Sequence, residues 1–329
     1  MQNLSGIFEG PVWEKLAKTA NGRAIGYGEF VGAALFDARY GYYAKPKTRV
    51  GYGGADFYTS ASLKEGVFSA LVESSAKNML RSAGENPEEY EFYEIGAEPG
   101  SQIVKGSKTA RLGEKIRIPA RAIAISNELL DARPFERFAF RGGKWRKRVL
   151  EISGAGGGKV RARESEADPS EEELAHISKY FFAASVEGFS LDISFDALRL
   201  FGEICSAEWR GVLLFADYFR TAAEICELPL GTARAYKSHR AFSDILAEAG
   251  ERDITHSPCA GPLLDTAKKC GFKTFPLMEQ ERFFMKNAEG EIASIASSPD
   301  PFDPKKRELA QLLSPAHMGA AFRILACLR

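Results

Sequence analysis

The run Glu91-Phe-Tyr-Glu-Ile95 leads directly into a glycine-containing turn, Gly96-Ala-Glu-Pro-Gly100. A short run of aromatic and apolar residues that ends in such a turn predicts a β-strand followed by a ligand-binding loop. Glycine allows the backbone to approach a ligand closely, and the free N–H groups at the start of a following helix can bind it. Alone, the turn is weak evidence, because ordinary strand-to-helix turns also contain glycine.

Two further runs indicate the sheet to which this strand belongs. Ala122-Ile-Ala-Ile-Ser126 and Gly211-Val-Leu-Leu-Phe-Ala216 are compact and apolar, as parallel strands covered on both faces usually are. Residues 194–209 lie between them and have the apolar spacing of an amphipathic helix. The sequence therefore predicts an α/β fold with a mostly parallel, Rossmann-like sheet. In such sheets ligands bind outside the carboxyl ends of the strands.

The spacing after the turn predicts a shortened second crossover. Only 25 residues separate Gly100 from Ser126. A complete connection would contain a helix, a strand, another helix and the next strand, which together need over ~30 residues at average element lengths. At least one crossover is therefore expected to be missing or reduced to a loop.

The whole chain is expected to form one integrated domain with two parts. Residues 1–82 are expected to be a helical N-terminal segment with loops that line the cleft, and residues 83–329 a Rossmann-like core with insertions. Within the core, the patterns predict a hairpin at 135–153 around Gly142-Gly143, a mobile loop at 154–173, an amphipathic helix at 240–249, and a final strand pair at 273–277 and 281–285.

Composition excludes several classes of protein. Lys and Arg number 44 and Asp and Glu 44, which argues against nonspecific nucleic-acid binding, since that needs a basic surface. The five cysteines include no CxxC pair, as expected for free thiols in a reducing compartment and not for a zinc site or a disulfide framework. No apolar run approaches the ~20 residues that span a bilayer. The N-terminus carries Glu9 and Glu14 and is unlike a signal or transit peptide, so a cytoplasmic protein is expected.

Eight blocks of sequence follow one another along the chain. They are Leu35-Phe-Asp-Ala-Arg-Tyr-Gly-Tyr-Tyr43, Asp56-Phe-Tyr-Thr-Ser60, Glu94-Ile-Gly-Ala-Glu-Pro-Gly100, Ser126-Asn-Glu-Leu-Leu-Asp-Ala132, Phe215-Ala-Asp-Tyr-Phe219, Gly231-Thr-Ala-Arg-Ala-Tyr236 with His239, Asp253-Ile-Thr255 and Leu313-Ser-Pro-Ala-His-Met-Gly319. Together they resemble the MidA-like S-adenosylmethionine-dependent methyltransferases, a family that includes a mitochondrial complex I assembly protein arginine methyltransferase. The resemblance implies a class I methyltransferase fold and methyl transfer as the activity.

The resemblance also implies that the cofactor is S-adenosylmethionine. It assigns cofactor contacts to Glu94, Gly96, Gly100, Glu114, Thr59, Ser60 and Asn127. Glu114 is the local candidate for the acidic residue that binds the ribose hydroxyls in folds of this kind, and a surface glutamate in a charged loop is the alternative. Two residues depart from the family pattern: Glu98 stands where the family has a glycine, and Pro99 lacks an N–H donor.

The resemblance places Glu128, Asp131, Asp56 and His239 in the catalytic cleft. A guanidinium keeps its charge at neutral pH, and carboxylates can grip its fork, orient the attacking nitrogen and accept its proton. Positioning supplies most of the rate effect, so neither a metal nor a covalent nucleophile is required. The alternative for the block around Glu128 is a helix N-cap with acidic first-turn residues, and for His239 it is a surface histidine.

Two hypotheses follow. The first is a protein methyltransferase, most favoured on an arginine side chain, whose protein substrate or partner resembles a respiratory-complex subunit. The second is a catalytically degenerate relative that acts as an assembly or interaction factor. The second is favoured by the short 101–125 segment, by Glu98 and Pro99, and by Ser257-Pro-Cys259, where the family carries a carboxylate. An NAD-dependent oxidoreductase has little support, because the turn does not match G-x-G-x-x-G. The oligomeric state stays open.

Overall fold

The computed structural model describes residues 5–45, 63–98 and 101–329. The described chain forms two compact units. The first unit contains residues 5–45, Leu130–Arg199 and Arg220–Pro262, and the second contains residues 63–129, Leu200–Phe219 and Leu263–Arg329. The predicted division at residue 82 and the single integrated domain remain predictions.

Sixteen strands are found in the described residues. They are β1 (Ser5–Phe8), β2 (Ala24–Gly26), β3 (Glu91–Ile95), β4 (Lys108–Ala110), β5 (Arg121–Asn127), β6 (Glu136–Arg141), β7 (Lys144–Gly156), β8 (Lys159–Ala167), β9 (Ser190–Ile193), β10 (Arg210–Asp217), β11 (Arg234–Lys237), β12 (Arg240–Phe242), β13 (Asp253–Thr255), β14 (Lys273–Thr274), β15 (Met278–Glu279) and β16 (Arg323–Leu328).

Helices accompany the strands in both units. They are α1 (Pro11–Ala20), α2 (Tyr27–Phe36), α3 (Val67–Ser82), α4 (Glu171–Tyr180), α5 (Phe195–Ser206), α6 (Ala222–Cys226), α7 (Ala260–Lys269), α8 (Gln280–Asn287), α9 (Glu289–Ala296), α10 (Pro304–Leu313) and α11 (Met318–Ala321). In the part of the chain that the structure describes, no helix combines the length and apolar composition needed to cross a membrane.

The sheet of the second unit is mixed. Its strand order is β14-β16-β10-β5-β3-β4, and β15 also pairs with β16. The pairs β3/β4, β3/β5 and β5/β10 are parallel, whereas β16 is antiparallel to β10, β14 and β15. The α/β fold is therefore as expected, but a mostly parallel sheet is not confirmed. An apolar run reveals a buried strand and not its direction, which depends on the connection before it.

The core of the second unit covers the strands that the apolar runs predicted. Ile123 and Ile125 of β5 and Val212 and Leu214 of β10 are buried in one cluster with α3, α8 and β16. The contact residues of α3 recur every three or four positions, as on one face of an amphipathic helix. Burial on both faces of β5 and β10 explains why these strands lack the polar alternation of half-exposed strands.

Two connections in this sheet are short, in agreement with the spacing argument. The described residues between β3 and β4, 96–98 and 101–107, contain no helix, and neither do residues 111–120 between β4 and β5. The parallel part of the sheet ends at β4, which has only three residues. A helix that would present its N-terminal N–H groups beyond the glycine turn is thus not found among those described residues.

The first unit is built on antiparallel sheets. One sheet has the order β1-β8-β7-β6-β9 with β2 added to β7, and a smaller one has the order β12-β11-β13. The predicted hairpin around Gly142-Gly143 is confirmed, since Arg141 pairs with Lys144 across the turn. The cluster beneath it contains Phe138, Trp145 and Leu191.

Three predicted elements were wrong. Residues 154–167 are not a mobile loop, because β7 continues to Gly156 and pairs with β8, which buries Val160 and Ala162. Residues 240–249 do not form a helix, since β12 begins there. Residues 281–285 lie in α8, and β16 closes the sheet in place of a second strand at that position.

Candidate functional site

The carboxyl ends of β3 and β5 form the switch point of the mixed sheet. From β3 the chain continues to β4 on one side, and it then returns to β5 on the other side of β3. In open α/β sheets such a reversal leaves a crevice at the carboxyl ends of the two diverging strands, and ligands bind there. Gly96 follows β3, and Asn127 ends β5. The last register pair joins Glu94 to Ile125, and Gly96 and Asn127 each lie two residues beyond it.

The turn after β3 requires glycine at its first position. Gly96 has a φ of 82°, in the left-handed region that L-residues avoid. A Cβ atom there would lie 2.8 Å from Cδ1 of Leu129. The N–H groups of Gly96 and Ala97 donate to the carbonyl of Ala110, at 2.8 and 3.3 Å, so the turn is anchored to the end of β4. Both backbone conformation and space therefore select glycine.

The side chain of Asn127 contains a buried acceptor atom that receives no hydrogen bond. Its Nδ2 donates to Oε1 of Glu128 at 2.8 Å, while its Oδ1 is buried without a hydrogen-bond partner. Beside it, Ser126 Oγ donates to the carbonyl of Ile95 at 2.8 Å and ties the two strand ends together. A buried acceptor left unpaired is costly and points to a missing donor, so a ligand at the switch point would meet an acceptor here.

Glu128 adopts an unusual backbone conformation directly after β5. Its φ is 50°, a strained value for a residue other than glycine. Its N–H donates to the carbonyl of Ala216 at 2.9 Å, which extends the pairing with β10 by one residue. Tyr218 Oη donates to Oε2 of Glu128 at 3.3 Å. Strain of this kind concentrates at functional sites. Tyr218 lies in one of the quoted blocks, but no pattern in the sequence singles it out for a role in the site.

Glu94 faces the connection between β3 and β4. Its carboxylate is almost fully buried and accepts the N–H of Ile103 at 2.8 Å. Burial raises the pKa of Glu94 to about 7, and the N–H of Ile103 and the charge of Arg111 offset part of that rise. Its role in cofactor binding stays a prediction, and the contact that the structure shows is with residue 103.

Glu114 lies four residues beyond the end of β4. Its Oε2 accepts the N–H of Arg111 at 2.8 Å, and its own N–H donates to the carbonyl of Arg111. The exposed side chain therefore closes a local turn. Contact with a ribose would require it to leave this hydrogen bond, so the assignment remains a prediction.

Asp131 belongs to the first unit, where its carbonyl oxygen binds His256. The backbone N–H of His256 donates to it at 2.9 Å, and ring atom Nδ1 lies 2.7 Å away. Burial lowers the pKa of His256 to about 4, so the ring is neutral near pH 7 and its Nδ1–H donates to the carbonyl. The side chain of Asp131 is buried.

Tyr236 lies in the same unit near Asp131 and Asp253. Burial raises the pKa of Tyr236, Arg234 opposes this, and the charges of Asp131 and Asp253 add to it. Tyr43 Oη donates to Oδ1 of Asp253 at 3.2 Å. Two carboxylates and two tyrosines from the quoted blocks thus lie near one another in this unit, together with the charge of Arg234.

Sequence reasoning missed Asp192, which organises one of the quoted blocks. The residue is only 4% exposed. Its Oδ1 accepts Arg137 Nε at 2.7 Å, and its Oδ2 accepts the N–H groups of Thr232 and Ala233 at 2.7 and 2.8 Å. A single aspartate within the apolar run of β9 carries no signal in the sequence. Thr232 Oγ1 in turn accepts the N–H of Ser257 at 3.1 Å.

The remaining assigned residues divide into two groups. His239 is exposed and forms, with Ser238, the two-residue turn between β11 and β12, where both residues have positive φ. Asp56, Thr59, Ser60 and Gly100 lie outside the described residues. Their roles, and that of His239, stay predictions. Over residues 5–45, 63–98 and 101–329, no group of three or more His, Cys, Asp or Glu side chains could hold a metal ion.

Comparisons with known proteins identify the family of the chain and proteins of similar fold. A family model described as "Putative S-adenosyl-L-methionine-dependent methyltransferase" matches residues 76–277. A crystal structure from Burkholderia thailandensis, described as a "likely methyl transferase" and bound to S-adenosyl-homocysteine, superposes with a TM-score of 0.80 at 20% identity, over 97% of this chain and 92% of that one. A native structure of an uncharacterized protein from the same organism gives 0.76 at 20% identity, over 97% and 91%. No curated protein matches the chain.

Proposed function

The chain belongs to the family described as "Putative S-adenosyl-L-methionine-dependent methyltransferase", and we propose that it transfers a methyl group from this cofactor to a protein side chain. The observation that carries the proposal is the arrangement at the switch point. A turn that requires glycine follows β3, and a buried asparagine oxygen without a partner lies at the end of the adjacent parallel strand β5, at the edge where this type of sheet binds ligands.

The described residues fit the cofactor at β3 and β5. The turn at Gly96 would hold it by close backbone approach, and Oδ1 of Asn127 would accept one of its N–H or O–H groups. S-adenosylmethionine supplies an electrophilic methyl group when bound. Glu94 and Glu114 are the proposed acidic contacts, together with Gly100, Thr59 and Ser60. Glu114 would first have to release the N–H of Arg111.

We further propose that the acceptor is an arginine side chain of a partner protein. This finer proposal rests on the resemblance to the MidA-like methyltransferases, through which a subunit of a respiratory-complex type becomes a candidate partner. Glu128, Asp131, Asp56 and His239 are the proposed catalytic residues. A cytoplasmic location is proposed as well, supported by the five cysteines, which are all free thiols.

A degenerate methyltransferase fold that serves as an assembly factor is the second candidate. Three observations favour it: the described residues of both short connections contain no helix, Glu114 is engaged in a local turn, and Ser257-Pro-Cys259 replaces the expected carboxylate. Each of these would weaken cofactor binding. The two candidates therefore differ in a property that can be measured directly.

Calorimetry with S-adenosylmethionine and S-adenosylhomocysteine tests the proposal. We expect micromolar binding to the intact protein and a roughly tenfold loss in Asn127→Ala, because a hydrogen bond to a buried acceptor is removed. Asn86→Ala is the matched control, since this exposed asparagine caps a short helix away from the switch point. Absence of binding at millimolar ligand would reject the methyltransferase proposal in favour of the assembly factor.

A further inference from the structure

Positive charge is concentrated in the chain on either side of β4, the outermost strand of the mixed sheet. Residues 101–121 contain six Lys and Arg residues and one Glu, a net charge of +5, although the whole chain is neutral. Five exposed cations form this basic edge: Lys105, Lys108, Arg111, Lys115 and Arg117. A local field of one sign on a neutral protein attracts a partner of the opposite charge to that place.

Little of this charge is neutralised within the fold. Lys108 pairs with Glu91 at 2.5 Å, and both side chains remain more than half exposed. Lys105, Lys115 and Arg117 form no ion pair with the described residues. Because like charges repel one another, an anionic partner would relieve the repulsion along the basic edge.

The backbone of β4 has an open side next to these cations. The carbonyl of Ala110 accepts the N–H groups of Gly96 and Ala97, so residue 110 faces β3. The backbone groups of successive residues in a strand point to opposite sides, which directs the N–H and the carbonyl of Thr109 away from β3. Within the described chain, β4 pairs with β3 alone. An added strand could therefore form hydrogen bonds at Thr109.

The chain that follows β4 brings a further cation to the same face of the strand. The N–H of Arg117 donates to Tyr93 Oη at 2.8 Å, and Tyr93 pairs in register with Lys108. Residues in register on neighbouring strands direct their side chains to the same face, so residue 117 crosses the face that carries Lys108. The same connection contains Leu112, which is 57% exposed. Cations and an apolar side chain thus accompany the open side of β4.

An extended acidic peptide matches both properties of this edge. Its backbone can pair with Thr109 as an added strand, and its carboxylates can pair with the cations. A nucleic acid matches the charge but has no peptide groups to pair with a strand. A second copy of the chain is a poor match, because its acidic run Glu171–Glu173 forms the first turn of α4 and is not extended.

We propose that β4 and the basic edge form a docking site for an extended acidic segment of a partner protein, which adds to the sheet beside β4. This inference goes beyond the proposed function, since docking requires neither the cofactor nor methyl transfer. Hydrogen bonds at Thr109 align the segment, and ion pairs with Lys115 and Arg117 select its charge.

Amide hydrogen exchange with an acidic model peptide tests the docking site. The probe is acetyl-Glu-Thr-Glu-Thr-Glu-Thr-Glu amide, whose β-branched residues favour an extended chain. The N–H of Thr109 should exchange rapidly in the free protein and at least about tenfold more slowly in the saturated complex. A fully N-methylated peptide keeps the same charges but cannot donate backbone hydrogen bonds, and it should give no such protection.

Variants separate the ionic contribution from the backbone contribution. Lys115→Gln/Arg117→Gln should weaken the peptide about fivefold, because two exposed ion pairs are lost. The matched control is Lys268→Gln/Lys269→Gln, which removes the same charge from the exposed end of α7 in the same unit. The control should leave the affinity within about twofold.

Thr109→Pro tests the backbone contribution. It removes the outward N–H and should also weaken the peptide about fivefold. The fold should be retained, because proline is tolerated on edge strands where the N–H faces outward. Thermal unfolding of each variant verifies this, and the double variant Lys115→Gln/Arg117→Gln tests the docking site even if Thr109→Pro does not fold.

Several outcomes would overturn the inference. Absence of peptide binding at low ionic strength would mean that the cations only protect an edge strand from aggregation. Binding without protection of Thr109, or an equal loss in the control variant, would mean nonspecific attraction between charges. Tighter binding of a single-stranded oligonucleotide of equal charge would assign the edge to nucleic acid. Self-association that is lost in Lys115→Gln/Arg117→Gln, measured by sedimentation, would assign it to a second copy.

Discussion

Asp192 and Gly231 approach each other so closely that a Cβ atom on residue 231 would lie 2.5 Å from Oδ2 of the aspartate. The same oxygen accepts the N–H groups of Thr232 and Ala233. Gly231 has a φ of 76°. The glycine that opens the block Gly231–Tyr236 is therefore selected by a buried carboxylate and by the turn it stabilises, with no ligand required to explain it.

Gly231→Ala should destabilise the fold by about 3 kcal/mol, of which roughly 1–2 is backbone strain and the rest overpacking against Asp192. Gly188→Ala is the matched control, because Gly188 has a φ of 83° and nothing within 4 Å of its Cβ position. Gly188→Ala should be destabilised only by the backbone strain, without the overpacking contribution. Urea denaturation of both variants measures the difference. Equal losses would mean that the loop moves away from Asp192 at little cost.

Arg137→Met should cost about 3 kcal/mol, because it removes one partner of a buried ion pair and leaves Asp192 with backbone donors alone. Arg163→Met is its counterpart in the same sheet, since Arg163 pairs with Glu151 at the surface. It should cost less than about 1 kcal/mol. Urea denaturation measures the free energy of unfolding of both variants. Similar losses for the two would show that burial does not make the ion pair of Arg137 more important than the surface pair of Arg163.

Gly96→Ala should reduce both stability and affinity for S-adenosylhomocysteine, because the new methyl group would contact Leu129 at 2.8 Å. In the double variant Gly96→Ala/Leu129→Ala, the steric clash with residue 129 should be relieved. The backbone strain at residue 96, about 1–2 kcal/mol, should remain. A double-mutant cycle measures the coupling, expected at about 1 kcal/mol. Additive effects would show that Leu129 is not what excludes a side chain at this turn.

Glu94 should make stability fall with rising pH. Its pKa is about 7 in the folded chain against 4.5 as the ordinary value, so the folded state keeps a proton that the unfolded state releases. Its contribution is complete below about pH 4.5 and is lost as the pH rises to about 7, by up to roughly 3 kcal/mol. Unfolding free energies of wild type and Glu94→Gln at about pH 5 and about pH 8 isolate this effect. A constant difference between the two proteins would refute it.

His256 should have the opposite effect and make stability fall as the pH decreases. Its pKa is about 4 in the folded chain against 6.5 ordinarily, so its contribution is complete above about pH 6.5 and is lost as the pH falls towards 4. NMR of the ring nitrogens should report a neutral ring, protonated on Nδ1, at about pH 5.5. A titration midpoint near 6.5 would mean that the imidazole is accessible to water and that its bond to Asp131 is not maintained.

The predictable parts of the fold are the strands and turns whose own residues show a clear local pattern in the sequence. β3, β5 and β10 are apolar runs, and the turn at Gly96 follows β3 directly, so these strands and this turn could be located before the structure was known. The count of residues between Gly100 and Ser126 was sufficient to predict short connections, because element lengths vary little.

The parts that escaped prediction depend on tertiary partners. β8 alternates buried and exposed residues, but its buried set includes Glu164, paired with Arg148 of β7, so the run resembles an acidic loop. Phe283 and Phe284 of α8 are adjacent aromatic residues, a pattern common to strands and helices, and packing against α3 decides between them. Neither the left-handed backbone of Glu128 nor the buried Asp192 changes any periodicity in the sequence.

The position of β16 has a consequence for biosynthesis. This strand leaves the ribosome after every other strand of its sheet, yet it lies between β10 and β14 and contributes Leu325, Ala326 and Cys327 to the fully buried interior. Until it emerges, β10 has an open edge of unpaired N–H and C=O groups. The sheet of the second unit is therefore completed only after all its other strands have been synthesised, and the edge of β10 is exposed to pairing with other chains until then.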